Sequence, residues 1–123
     1  MERLHDRVAI ITGAAQGIGA AYARAMAQEG ATVIIAYLDD GEGIAREIRE
    51  NGGKALNVVT NVSSESSVEN LVSTTVEQYG RIDILVSNAA LFGKLEAKPF
   101  TEISVEEWDD LMAVNVRGVF ICV

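Results

Sequence analysis

Apolar residues in this chain form short unbroken runs, and these runs alternate with segments in which apolar residues recur every three or four positions. The unbroken runs are rich in β-branched residues, which is typical of parallel strands covered on both faces. They predict four strands, at residues 8–12, 32–37, 55–60 and 82–87.

Helical periodicity separates the predicted strands. We expect the core-facing residues to be Ile18, Tyr22, Ala25 and Met26 in the first helix, Ile44 and Ile48 in the second, and Val68, Leu71, Val72, Val76 and Tyr79 in the third. Glycines at positions 30, 52 and 80 stand where these helices should end. A capping-box pattern opens a fourth helix at Ser104 and Glu107, and its apolar face would hold Trp108, Leu111 and Met112.

The resulting order is β-α-β-α-β-α-β, followed by a loop and a helix, and it predicts an α/β fold. Each β-α unit spans about 25–30 residues, which is enough for a crossover between parallel strands. Because such crossovers are right-handed, the units should form a doubly wound parallel sheet. A phospho-receiver domain shares this alternation but needs acidic residues after its first strand and an aspartate after its third. This chain has residues 13–15 (GAA) and Asn61 there, so we set that class aside.

Composition and charge narrow the classes of protein further. The 123 residues are 49% hydrophobic with one proline, which indicates a folded domain. Ten basic and 18 acidic residues give a net charge of −8, which disfavours nucleic acid and anionic membranes as partners. The one cysteine, Cys122, lies in an apolar run, so we expect a buried, unreactive thiol and no metal site. Because no apolar run approaches about 18 residues, we predict a soluble, cytoplasmic protein.

A glycine-rich loop at residues 12–19 (TGAAQGIG) joins the first predicted strand to the first predicted helix. A helix N-terminus has unpaired N–H groups and a positive dipole end, which attract a pyrophosphate. A side chain at the closest glycine would block that approach, so this context predicts a dinucleotide site. The alternative is a tight turn whose glycines serve packing only.

The Gly-x-x-x-Gly-x-Gly spacing of this loop resembles that of the short-chain dehydrogenase/reductase family. Residues 87–90 (SNAA) are similar to that family's Asn-Asn-Ala-Gly, and residues 61–62 (NV) lie where the family usually has Asp-Val. Asn115, within VNV, matches the family's active-site asparagine. The resemblance runs from Arg7 onward.

The departures from the family pattern are conservative. Ser87 keeps a polar group but loses an amide, and Ala90 has less backbone freedom than glycine beside the cofactor. Asn61 replaces a carboxylate with an amide, so the contact that the resemblance implies with the adenine amino group requires its carbonyl end.

The resemblance implies a Rossmann-type fold and a set of cofactor-binding residues. The pyrophosphate would lie on the loop containing Gly13, Gln16, Gly17, Ile18 and Gly19. Asn61 and Val62 would flank the adenine, and Asn88, Ala89 and Ala90 would approach the ribose and nicotinamide. Asn115 would be the catalytic position.

The cofactor prediction is NAD rather than NADP. Tyr37 ends the second predicted strand and, by the resemblance, should face the adenosine ribose together with Leu38. NADP-preferring members carry a basic residue just after this strand or in the glycine loop, where this chain has Leu38 and Gln16. A 2′-phosphate would instead meet Asp39 and Asp40, although these acids also suit a helix start.

The family's Tyr-x-x-x-Lys pair is not found in the sequence. Tyr22, Tyr37 and Tyr79 are followed four positions on by methionine, glycine and aspartate. We therefore expect residues 1–123 to be the N-terminal dinucleotide-binding part of one incomplete Rossmann-type domain, inactive alone. The full-length protein would be a homo-oligomeric oxidoreductase that moves a hydride between the cofactor and a carbonyl or secondary alcohol. A non-catalytic NAD-binding module is the alternative.

A loop with apolar residues follows the SNAA motif. It would lie at the carboxyl end of the sheet, where ligands bind in such folds. Leu91, Phe92 and Leu95 are candidates to line a substrate pocket, and packing within the loop is the equally weighted alternative.

Overall fold

A computed structural model describes residues 2–91 and 96–123. Its elements are, in chain order, β1 Val8–Thr12, α1 Gly17–Gln28, β2 Thr32–Tyr37, α2 Glu42–Glu50, β3 Lys54–Val59, α3 Glu65–Tyr79, β4 Ile84–Val86, a 3-10 turn Phe100–Glu102, α4 Val105–Met112, a π-helical segment Ala113–Arg117 and α5 Gly118–Cys122. The predicted alternation of strands and helices is confirmed.

The four strands form one parallel sheet in the order β3-β2-β1-β4. Ile10 in β1 pairs with Ile34 in β2 and with Leu85 in β4. The two central strands are buried except at the last residue of β2, which explains why their runs are apolar without alternation. β4 is only three residues long, half the length predicted, because it is an edge strand whose Leu85 remains 37% exposed.

The predicted core face of α1 is correct only at Met26, which is partly buried and packs against the core. Ile18 and Tyr22 are exposed, whereas Gly19, Ala20 and Ala23 are buried against the sheet. Small side chains let the helix axis approach β1 and β2 closely, so packing distance decides the buried face here.

Two other predicted helix faces are only partly correct. On α3, the buried residues are Val68, Leu71 and Thr75, while Val72 and Val76 are exposed. On α4, Trp108 and Met112 are exposed among the described residues. Within the described part of the chain, no helix is both long and apolar enough to cross a membrane.

An aspartate joins β1 to β4 at the amino edge of the sheet. The Asp83 carboxylate accepts a hydrogen bond from the Val8 backbone N–H (2.9 Å), and its Oδ1 lies 2.7 Å from Arg81 Nη2. The Asp83 backbone N–H donates in turn to the Val8 carbonyl (2.9 Å). The Arg81 guanidinium, followed by the Val8 N–H, lowers the pKa of the Asp83 carboxyl because both favour its charged form.

Candidate functional site

The glycine loop lies at the carboxyl edge of the sheet, packed against the segment that follows β4. Gly13 has a φ of +66°, and a Cβ added there would lie 2.9 Å from Ala89 Cα. A Cβ on Gly19 would overlap the Gly13 carbonyl oxygen and the Asn88 amide. Both glycines are therefore required by close packing within the protein.

Gly17 differs from the other two glycines because its surroundings are open. It has a φ of +57°, and apart from its chain neighbours and the backbone of α1, no atom of the described residues lies within 4 Å of the position that a Cβ would occupy. It begins α1, and no side chain of the described residues caps that helix at Gln16. The first-turn N–H groups and the open approach beside Gly17 fit a bound anion such as a pyrophosphate.

Thr12 joins the glycine loop to the segment after β4. Its hydroxyl accepts hydrogen bonds from the backbone N–H groups of Asn88 and Ala89, each at 3.0 Å, and donates to the Val86 carbonyl at 3.4 Å. The Asn88 side-chain amide donates to the Gly13 carbonyl at 3.2 Å. The structure thus brings the glycine loop and the SNAA motif together.

Thr12 itself was not identified as a site residue from the sequence. A threonine that ends a buried strand and precedes a glycine loop is the only signal it gives. Thr12 is only 2% exposed, so its hydroxyl is out of reach of solvent. Its hydrogen-bond partners therefore have to be other groups of the protein.

The loop after β3 reaches back towards β1. Val62 is buried, and a Cβ on Gly118 of α5 would lie 2.8 Å from Val62 Cγ2. A narrow crevice results, lined by Thr12, Val62, Ser87, Ala89, Gly118, Val119 and Cys122. Cys122 is half-buried rather than buried as expected, and desolvation raises the pKa of its thiol.

Asn61 is exposed at the start of this loop, and its side-chain carbonyl already has two donors. Asn61 Oδ1 accepts from the Ser63 backbone N–H at 3.0 Å and from the Ser63 hydroxyl at 2.6 Å. The Asn61 backbone N–H donates to Ser67 Oγ at 2.8 Å. The carbonyl end that the adenine contact was expected to use is therefore engaged within the protein.

The turn after β2 carries the residues expected at the ribose. Tyr37 is half-buried and Leu38 is 57% exposed. Asp40 Oδ1 accepts from the backbone N–H of Glu42 at 2.8 Å and from Asn57 Nδ2 at 3.3 Å, so Asp40 serves the start of α2. Asp39 is exposed. Asn57 Oδ1 is buried, with no hydrogen-bond partner in the described part of the chain.

Asn115 lies in the π-helical segment and holds the chain just beyond Ala90. Its Oδ1 accepts from the Leu91 backbone N–H at 2.7 Å, and its Nδ2 donates to the Leu91 carbonyl at 3.3 Å. This pairing spans 24 residues and is not a local bond within the helix. Of the apolar pocket candidates, Leu91 is exposed, and Phe92 and Leu95 lie outside the described residues.

Comparisons with known proteins point to one family. A family model described as short chain dehydrogenase matches residues 7–123. An uncharacterized oxidoreductase of Thermotoga maritima is 44% identical over 121 residues, which cover 97% of this chain and 46% of that protein. A cis-4-hydroxycyclohexanecarboxylate dehydrogenase of Sinomonas cyclohexanicum is 41% identical over 123 residues, which cover 98% of this chain and 48% of that protein.

A solved structure agrees with these sequence matches. The short chain dehydrogenase of Mycobacterium smegmatis aligns with a TM-score of 0.91 and 33% identity, covering 99% of this chain and 51% of that one. The chain spans about half the length of the curated relatives it matches.

Proposed function

Because this chain belongs to the short-chain dehydrogenase family, we propose that it forms the dinucleotide-binding part of a nicotinamide-dependent oxidoreductase. The full-length enzyme moves a hydride between the nicotinamide and a carbonyl or secondary alcohol of a small molecule. One observation carries the proposal: a glycine loop with an open, uncapped helix start at Gly17, held against Asn88 and Ala89 by the Thr12 hydroxyl.

The pyrophosphate lies on the glycine loop. Gly13 and Gly19 bring the loop and the segment after β4 into contact, and Gly17 leaves the approach to α1 open. The backbone N–H groups at Gly17, Ile18 and Gly19 then point at the phosphates, with Gln16 at the rim. The bound nicotinamide supplies the hydride chemistry, and these residues supply position and charge complementarity.

The two ends of the cofactor lie on either side of this loop. The adenosine lies towards Tyr37, Leu38, Asn61 and Val62, and the nicotinamide towards Asn88, Ala89 and Ala90. Asn115 corresponds to the family's active-site asparagine and belongs to the nicotinamide side of the site. Its amide is paired on both sides with Leu91, so its side chain acts by positioning the segment that follows Ala90.

NAD is the preferred cofactor. The turn after β2 presents the exposed residues Asp39 and Asp40. A 2′-phosphate there would meet negative charge without a bidentate cation. NADP binding tenfold tighter than NAD binding by the full-length protein would overturn this preference. Leu38→Arg should shift the ratio of dissociation constants towards NADP by about tenfold.

The substrate is a small molecule with a hydroxyl or carbonyl group. The Sinomonas relative is named for the dehydrogenation of a cyclic hydroxy acid, which supports an alcohol or ketone of modest size. We place the enzyme in the cytoplasm, which is consistent with its single cysteine in residues 1–123. We expect a homo-oligomer because members of the family commonly associate.

A matched pair of glycine substitutions tests the proposal. Gly17 and Gly52 both have positive φ values, +57° and +86°, and both have open surroundings. Gly17→Asp places a carboxylate at the phosphate position and should weaken NAD binding at least about tenfold, by calorimetry on full-length protein. Gly52→Asp, beyond the end of α2, should leave the affinity unchanged. Equal effects of both, or no NAD binding by the unmodified protein, would overturn the assignment.

A further inference from the structure

The side chain of Asn61 has a fixed orientation because of Ser63. The Ser63 backbone N–H can only donate, so the atom that faces it at 3.0 Å must be the Asn61 carbonyl oxygen. The Ser63 hydroxyl donates to the same oxygen at 2.6 Å. Two donors occupy both lone pairs of Oδ1, and rotating the amide by half a turn would set two N–H donors against each other.

The other end of this amide is available for a ligand. Among the described residues, Asn61 Nδ2 has no hydrogen-bond acceptor, and Asn61 is exposed at the carboxyl edge of the sheet. The buried neighbour Val62 holds the loop against Gly118 of α5, so Asn61 cannot readily retreat from this edge. The group offered to a ligand here is a hydrogen-bond donor.

We propose that the Asn61–Ser63 pair makes this part of the site a donor towards the purine of the dinucleotide. The chain therefore recognises a ring-nitrogen acceptor that adenine and hypoxanthine share, N3 or N7, and does not select the 6-amino group of adenine. This inference rests on the proposed dinucleotide-binding function. Asn61 is thus a specificity-determining residue whose polarity is set by Ser63.

An aspartate at this position would reverse the polarity. One carboxylate oxygen would keep the two Ser63 donors, and the other would present an acceptor to the purine. That acceptor would bind the amino group of adenine and repel the 6-carbonyl of hypoxanthine. Because the Ser63 contacts are retained, Asn61→Asp should fold like the unmodified protein.

The test compares NAD with nicotinamide hypoxanthine dinucleotide, in which a carbonyl replaces the amino group. We expect full-length protein to bind the two with dissociation constants within about threefold of each other, and Asn61→Asp to shift their ratio at least about tenfold towards NAD. Asn51→Asp adds the same charge at the end of α2, on the opposite edge of the sheet, and should leave the ratio unchanged.

Ser63→Ala is the second variant. It removes the hydroxyl donor and returns one lone pair of Asn61 Oδ1, so the ratio should move towards NAD by a smaller factor than in Asn61→Asp. Retained NAD binding with a ratio that neither Asn61→Asp nor Ser63→Ala changes would overturn the inference alone. No binding of either dinucleotide by the unmodified protein would overturn the proposed function and the inference together.

Discussion

Removing the hydroxyl of Thr12 should weaken the contact between the glycine loop and the segment that follows β4. Thr12→Val keeps the shape of the side chain but leaves the backbone N–H groups of Asn88 and Ala89 without their acceptor. Each part-buried, unsatisfied donor costs about 1–3 kcal/mol. Because water reaches part of this segment, we take the lower part of that range and expect a loss of about 2–4 kcal/mol in the free energy of unfolding. That is a large fraction of the total for an ordinary domain.

Thr12→Ser is the matched control, since it keeps the oxygen and removes one methyl group. Its loss should be about 1 kcal/mol. Equilibrium urea unfolding of the full-length protein measures both values, and hydrogen exchange of the Asn88 and Ala89 amides reports the local opening. A Thr12→Val variant no less stable than Thr12→Ser, with unchanged exchange at those amides, would refute the reasoning.

Three further predictions concern the loop, the sheet edge and one strand. Gly13→Ala should lower the free energy of unfolding by about 2 kcal/mol in a urea titration, because the alanine would have a positive φ and its Cβ would press against Ala89. An unchanged urea midpoint would contradict this prediction. Because Arg81 lowers the pKa of Asp83, this carboxylate stabilises the fold above its unfolded pKa, and the stabilisation is lost as pH falls through its folded pKa. The melting temperature of Asp83→Asn should therefore depend less on pH below about pH 4 than that of the unmodified protein, and an equal dependence in both would contradict this. Asn57→Val removes a buried acceptor that has no partner among the described residues, and it loses only the long, exposed hydrogen bond from Asn57 Nδ2 to Asp40 (3.3 Å). It should therefore raise the free energy of unfolding by about 1 kcal/mol in a urea titration, and destabilisation would contradict this.

Strands were easier to predict than helix faces. β1 and β2 have the predicted bounds because a fully buried strand needs an apolar residue at every position. The predicted face of α1 was correct only at Met26, because an apolar stripe records hydrophobicity, whereas Gly19 and Ala23 are buried for their small size. β4 was predicted too long because it pairs with β1 only over Ile84–Val86, and the apolar run does not show where that pairing stops.

The site was predictable in its motifs but not in its internal contacts. The glycine loop and residues 87–90 could be identified from their residue spacing and from their positions directly after predicted strands. The Thr12 and Asn115 side chains bind backbone groups 76 and 24 residues away, and no local pattern encodes such partners. The Asn61–Ser63 contact was within reach of the sequence, since an asparagine commonly accepts from the backbone two residues on.

The contact between Asn88 and Gly13 has a consequence for how the protein reaches its folded state. The glycine loop is local in sequence, but the Asn88 side chain that contacts it is 75 residues away, so the loop acquires its final shape only after β4 has docked on β1. Contacts of such separation form late because they require closure of a long segment of chain. A dinucleotide that binds at the proposed site therefore cannot accelerate the early steps of refolding; it stabilises only chains in which β4 is already in place.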